Sequence, residues 1–197
     1  MAKKQNGLPK YAVAGAVGVV LLLLIFWGIS SYNSLVTKQL NVDNQWANIE
    51  TQYQRRIDLI PNLVSTVSSY SQFEKSTLTQ LTALRSQWQQ SQTVEQKVAT
   101  GNQLDSLLSR LLVTYENYPD LKTVGPVNNL MLQLEGTENR VAVARKDYND
   151  AVRDYNLAVR TFPSSIFAGM FGFDQKPFFQ AEAGAENAPK VNPNFLG

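Results

Sequence analysis

The sequence predicts an all-α protein: a single N-terminal transmembrane helix followed by an antiparallel, up-and-down bundle of three to four helices. Three observations carry that expectation. Residues 11–29 form an apolar run without a charge, and from there to Phe162 apolar residues recur at steps of three, four or seven. Proline, glycine and capping residues punctuate this helical period, and no strand-like alternation replaces it. The 197 residues suit one bundle with a short extra segment. The expected division is a basic end at 1–10, the span at 11–29, the bundle at 30–163, and a Phe/Gly-rich segment with a flexible tail at 164–197.

As a helix, Tyr11 to Ile29 would extend about 28 Å, close to the thickness of a bilayer core. Phe26 and Trp27 stand where an interfacial anchor belongs. Lys3, Lys4 and Lys10 precede the run, and Lys38 alone follows within twenty residues. Positive charge stays on the cytoplasmic side, so the N-terminus is expected inside and the bundle outside the cytoplasm, with lipid contacting residues 11–29. A cleaved secretory leader is the competing reading, because Gly28-Ile29-Ser30 resembles a small-x-small cleavage site. The length of the run favours an anchor. Ala12 with Ala16, and Ala14 with Gly18, have the spacing at which spans pack closely in lipid.

After the span, Leu35, Val42, Trp46, Ile49, Tyr53, Ile57 and Ile60 mark one face of a helix that is expected to run on from the anchor. Pro61 lacks an amide hydrogen and crowds the carbonyl of Ile57, which predicts a kink. Leu63, Val64, Val67 and Tyr70 continue the stripe beyond it. Ser71 and Glu74 have capping-box spacing ahead of Leu78, Leu81, Leu84 and Trp88, so a break is expected near Ser71. Thr93 and Gln96 repeat the spacing before Leu104, Leu107, Leu108, Leu111 and Tyr115, predicting a loop near residues 89–94. Pro119 stops that helix. Gly125-Pro126 opens the last one, whose stripe runs from Val127 to Phe162 and ends at Pro163. The segment after Ser164 reads as too glycine-rich for a regular helix and too apolar to stay in water. Phe167, Met170, Phe171, Phe173, Phe178 and Phe179 are its candidate interaction residues. Beyond Glu182 a frayed end is expected.

Eighteen basic and sixteen acidic residues leave a net charge of +2, interleaved along the chain, which argues against nucleic acid as a partner. Histidine and cysteine are both absent. Thiol nucleophiles, Ser–His dyads and zinc sites built on those residues are thereby excluded. No phosphate-binding glycine loop or nucleophile elbow occurs. The reading is of a non-enzyme without catalytic residues, cofactor or metal. The one charged cluster that invites attention is Arg55, Arg56, Asp58, Glu74, Glu135, Glu138, Arg140 and Arg145. Glu138 and Arg145 fall on or beside the last helix's apolar stripe, which predicts partial burial. Paired carboxylates can perform acid–base chemistry, but acids beside arginines more often form structural ion pairs. Tyr53, Tyr70, Tyr115, Tyr148 and Tyr155 lie on stripes and read as core, with hydroxyls reaching polar partners.

Several ordered motifs resemble the LemA family of bacteria: Tyr32 to Val36, Arg55 to Val64, Glu116 to Lys122, Leu134 to Arg145, Tyr148-Asn149, Tyr155-Asn156, Phe162-Pro163 and Phe171-Gly172-Phe173. The resemblance implies a membrane-anchored antiparallel helical bundle of the bacterial inner membrane, with no catalytic residues to carry over and with membrane proteases as neighbours. Descriptions of the family place the large domain in the cytoplasm, opposite to the side given by the charge count. Phe73 departs from the family, which commonly has histidine before the glutamate matching Glu74. The function expected is a self-associating scaffold or adaptor of the cell envelope, with a membrane protein or protease as partner. Two alternatives remain: an envelope-shaping or stress-related factor acting on lipid or regulating a membrane protease, and a hydrolase needing a wet pocket shared by Glu74 and Glu138.

Overall fold

The computed structural model describes residues 10–180, among which every regular element is a helix. Expectations placed on Lys3, Lys4 and the end after Glu182 fall outside the described residues. The helices are α1 (Lys10–Val67), α2 (Lys75–Gln90), α3 (Val94–Asn117), the single turn α4 (Pro119–Lys122), α5 (Gly125–Arg160) and α6 (Ser164–Phe171).

α1 carries both the apolar run and the first bundle stripe in one element. Its polar residues do not break it, because hydroxyls bond back to the preceding turn, Thr37 to the Asn33 carbonyl at 2.8 Å and Thr51 to that of Ala47 at 2.9 Å. Pro61 also lies inside α1, on its exposed side, while Ile57 and Ile60 are fully buried.

The expected break falls between Val67 and Lys75, yet the cap differs from the one expected. Glu74 is itself the N-cap, without a side-chain cap, and its carboxylate accepts from the Ser76 hydroxyl at 3.3 Å. Burial of Phe73 holds the preceding turn against the core, so the N-cap falls at Glu74, three residues after Ser71. The second capping box forms as expected: Thr93 accepts from the Gln96 amide while the Gln96 side chain accepts from the Thr93 amide. The short connection from Gln90 to Val94 folds α2 and α3 back on each other.

α5 ends at Arg160, two residues before the expected limit. A further difference follows it, since Ser164–Phe171 is a regular helix despite Gly169 within it and Gly172 just after it. Pro163 occupies the N-cap, where its missing donor is harmless. Gly172, at φ 73°, supplies the left-handed residue that closes the helix, and the Phe173 amide bonds the Ala168 carbonyl at 2.9 Å.

The chain divides into two compact units. The first takes the chain up to Asn44 together with Asp150–Pro177; its core holds Leu35, Val42, Val152, Tyr155 and Ala168. The second takes Gln45–Asn149 and the chain from Phe178 onward; its core is built on Ile49, Tyr53, Ile57, Leu81, Leu104, Leu108 and Met131. Within the apolar run, an 18-residue window has mean hydropathy 2.2 and no part buried. One helix of the described residues is thus long and apolar enough to cross a membrane.

Candidate functional site

The buried charge of the second unit gathers on Asp105. Leu104 and Leu108 turn the α3 stripe into the core, and Asp105 sits at its edge with its side chain 21% exposed. Arg56 of α1, among Tyr53, Ile57 and Ile60, is 2% exposed and bonds Asp105 Oδ1 through Nη1. Its Nε donates to Thr137 Oγ1 of α5 at 3.1 Å, and that hydroxyl donates to the Leu134 carbonyl at 2.6 Å. Arg145 of α5 bonds Asp105 Oδ2, the Tyr53 hydroxyl oxygen and, at 3.3 Å, Asn102 Oδ1. Tyr53 donates to Asp105 Oδ2 at 2.9 Å. One carboxylate thus joins three helices.

Aromatic rings wall this cluster. Tyr53 stacks on Trp88 with centroids 4.3 Å apart, and the Arg145 guanidinium lies over the Phe179 ring at 4.2 Å. Arg145 Nε is buried with no hydrogen-bond partner, so that ring contact is what its face receives. Gly101 makes room for the stack: a Cβ there would stand 2.8 Å from the Tyr53 hydroxyl and 3.2 Å from Trp88. Burial pushes the Tyr53 phenol far above its ordinary value, with Asp105 adding to the rise and Arg145 opposing it. Tyr53 therefore stays protonated and keeps donating.

Chemically the cluster is occupied. Both oxygens of Asp105 already hold donors, so a substrate would have to displace an arginine to reach it. Among the described residues, no group of three acidic side chains is placed to hold a metal ion.

Of the eight charged residues singled out from sequence, the structure brings two together, Arg56 and Arg145, through the unforeseen Asp105. Arg55, Asp58, Glu74, Glu135, Glu138 and Arg140 are exposed. Glu138, expected to be half buried, instead lines an open groove of about 790 Å³ with Glu116, Lys122, Met131 and Glu135. Glu74 lines a separate groove of about 230 Å³ with Arg110 and Phe73. The two carboxylates that a hydrolase would need in one pocket do not share one. Asp105 left a trace in the sequence, as an acid embedded in a leucine stripe. Thr137 left none.

The Phe-rich segment also divides. Phe179 is 4% exposed, held by Asn149, which donates to its carbonyl at 2.9 Å and accepts from its amide at 2.8 Å. In the first unit Asn156 brackets Lys176 in the same way, at 2.9 and 2.8 Å. Each asparagine follows a buried tyrosine, Tyr148 or Tyr155, and the repeated Tyr-Asn pair was the signal available for both. Phe167 lies edge-on to Trp27, and Phe171 and Phe173 edge-on to Tyr32. Met170, Phe171 and Phe178 remain exposed.

Residues 45–193 match the model of the LemA family. Over 97% of its length the chain is 26% identical to magnetosome protein MamQ 1 of Paramagnetospirillum magneticum, covering 78% of that protein. It is 23% identical to magnetosome protein MamQ of Magnetospirillum gryphiswaldense over 84% of this chain and 70% of the relative. Protein LemA of Metamycoplasma hominis is 23% identical over 81% of this chain and 73% of its own.

Proposed function

The chain belongs to the LemA family, and we propose that it works as a membrane-anchored, non-enzymatic scaffold or adaptor of the bacterial envelope that associates with copies of itself. The observation that carries this reading is the state of its buried charge. Asp105 spends its oxygens on Arg56, Arg145 and Tyr53, tying α1, α3 and α5 together, and so has its binding capacity committed to the bundle's shape. The apolar run, uncharged and with an 18-residue window of which no part is buried, supplies the tether. Relatives named magnetosome protein MamQ carry no reaction in their names, which is in keeping with a structural role.

The proposed placement is a single-pass protein of the inner membrane, N-terminus in the cytoplasm and bundle outside, from the excess of lysine before the span. A membrane protein or protease is the proposed partner. Crosslinking in native membranes followed by detergent extraction and size-exclusion chromatography should give a homo-oligomer with a partner attached. A monomer with nothing crosslinked to it would refute the scaffold. Protease added to intact spheroplasts should digest the bundle, and its full protection would reverse the orientation.

A further inference from the structure

The first unit carries an apolar surface that the scaffold reading does not use. α6 and the turn before it present Phe162, Ile166 and Met170 at 81, 51 and 70% exposure. Ile166 and Met170 are four apart and share one side of the helix. Residues 161–173 contain no charge, which first returns with Arg160 before them and Asp174 after. Such a cluster on an eight-residue helix needs a cover.

The opposite side of α6 says what that cover is. Phe167 packs edge-on against Trp27 with ring centroids 5.1 Å apart. Its Cε1 lies 3.0 Å from where a Cβ of Gly28 would stand, so the glycine lets the ring approach the helix backbone. Phe171 then meets Tyr32 at 5.0 Å and Phe173 meets it at 5.7 Å. Trp27 and Gly28 belong to the last turn of the uncharged run 11–29. α6 is consequently fastened to the boundary of the span by its inner side, with its apolar outer side next to that boundary.

We infer that α6 is a second membrane element, an in-plane foot whose Phe162, Ile166 and Met170 enter the headgroup–acyl boundary of the lipid surface at the point where α1 leaves it. This rests on the reading of residues 11–29 as a span. The partner is the bilayer itself, because α6 is fastened at Trp27 and Gly28, the end of the uncharged run, and aromatic and aliphatic side chains in an uncharged helix suit that interface. The foot gives the chain two lipid contacts instead of one. It also sets the level at which α1 emerges, which a lone span leaves to tilt.

The absence of cysteine makes the test clean. Full-length protein carrying one spin label at Met170→Cys, Ile166→Cys, Leu22→Cys or Val143→Cys is placed in bilayers of phosphatidylcholine and phosphatidylglycerol. Accessibility to oxygen and to a water-soluble nickel chelate is then read by power saturation. All four native side chains are exposed, so each label is tolerated. The expected result is a several-fold higher oxygen-to-nickel ratio at Met170 and Ile166 than at Val143, with Leu22 higher still. Lipid contact at Leu22 with water at Met170 and Ile166 would overturn the foot and leave the anchor standing. Water at Leu22 would overturn both. Labels at Met170 shielded from oxygen and nickel alike, with broadening from a neighbouring label, would show a second copy covering the patch and overturn the lipid assignment.

Discussion

α1 is held in two different ways. In the second unit it meets its neighbours through a buried ion cluster, Arg56 and Tyr53 converging on Asp105, where every contact demands a particular atom at a particular distance. In the first it meets α6 through ring edges, Trp27 with Phe167 and Tyr32 with Phe171, where shape and apolarity suffice. The difference lies in what happens when one partner is lost. A charge left alone in a core retains its desolvation cost, whereas an aromatic edge left alone forfeits only contact area. The ion cluster therefore specifies how three helices register, and the ring seam tolerates variation.

The largest expected effect comes from breaking the cluster. Arg56→Ala removes one of two cations from Asp105 and the donor that Thr137 Oγ1 accepts from, and should destabilise the protein by about 3–5 kcal/mol. Chemical denaturation followed by circular dichroism would measure it. A loss below about 1 kcal/mol, the level of an exposed pair, would contradict the contrast drawn here. Glu138→Ala, on the open groove, serves as the exposed control.

Next is Gly101→Ala. In an exposed helix this change adds about 1 kcal/mol of stability, but the new methyl would meet the Tyr53 ring at 2.9 Å and push it from Trp88 and Asp105. A net loss of about 1–3 kcal/mol is expected, visible as a lower melting temperature. A raised melting temperature would mean that the stack yields easily.

The two asparagine brackets sharpen the comparison because the same device serves both units. Asn149→Ala and Asn156→Ala should each cost about 1–2 kcal/mol, with faster amide exchange at Phe179 in the first case and Lys176 in the second. Equal losses would show that the bracket acts independently of its surroundings. A larger loss at Asn149 would show that Phe179 also steadies Arg145.

Smallest at neutral pH is Tyr53→Phe, at about 1 kcal/mol, since Asp105 and Arg145, which lose the hydroxyl, keep each other as partners. Its pH dependence carries the information. Burial raises the folded phenol's pKa above the unfolded one, so wild-type stability tied to this group is complete below about pH 10 and declines above it, as the unfolded chain ionises first. Tyr53→Phe has no such loss. The gap between the two proteins should close near pH 11, since one pKa unit is worth about 1.4 kcal/mol. A gap that stays constant up to pH 12 would contradict a buried, protonated Tyr53.

Much of the fold was legible because helices report locally. The apolar run, the break after Val67, the Thr93 capping box and the Gly125-Pro126 start were all read from residues a few positions apart. The site was less legible. Arg56 and Arg145 were singled out among eight charged residues, but six of those face water. Asp105, the residue that gives the two arginines their purpose, was passed over because an acid in a leucine stripe looks like an ordinary edge position. Helix α6 was missed because Gly169 lowers helix propensity, and packing on Trp27 and Tyr32 outweighs that.

By itself the sequence determined the periods, the punctuation and the uncharged run, since each depends on the 3.6-residue repeat and on backbone chemistry within a turn or two. Tertiary structure decided which charges are buried and with whom. Asp105 lies 49 residues from Arg56 and 40 from Arg145, and Arg145 lies 92 from Tyr53. No local rule reaches so far, and the desolvation that makes those contacts specific exists only once three helices have closed around them.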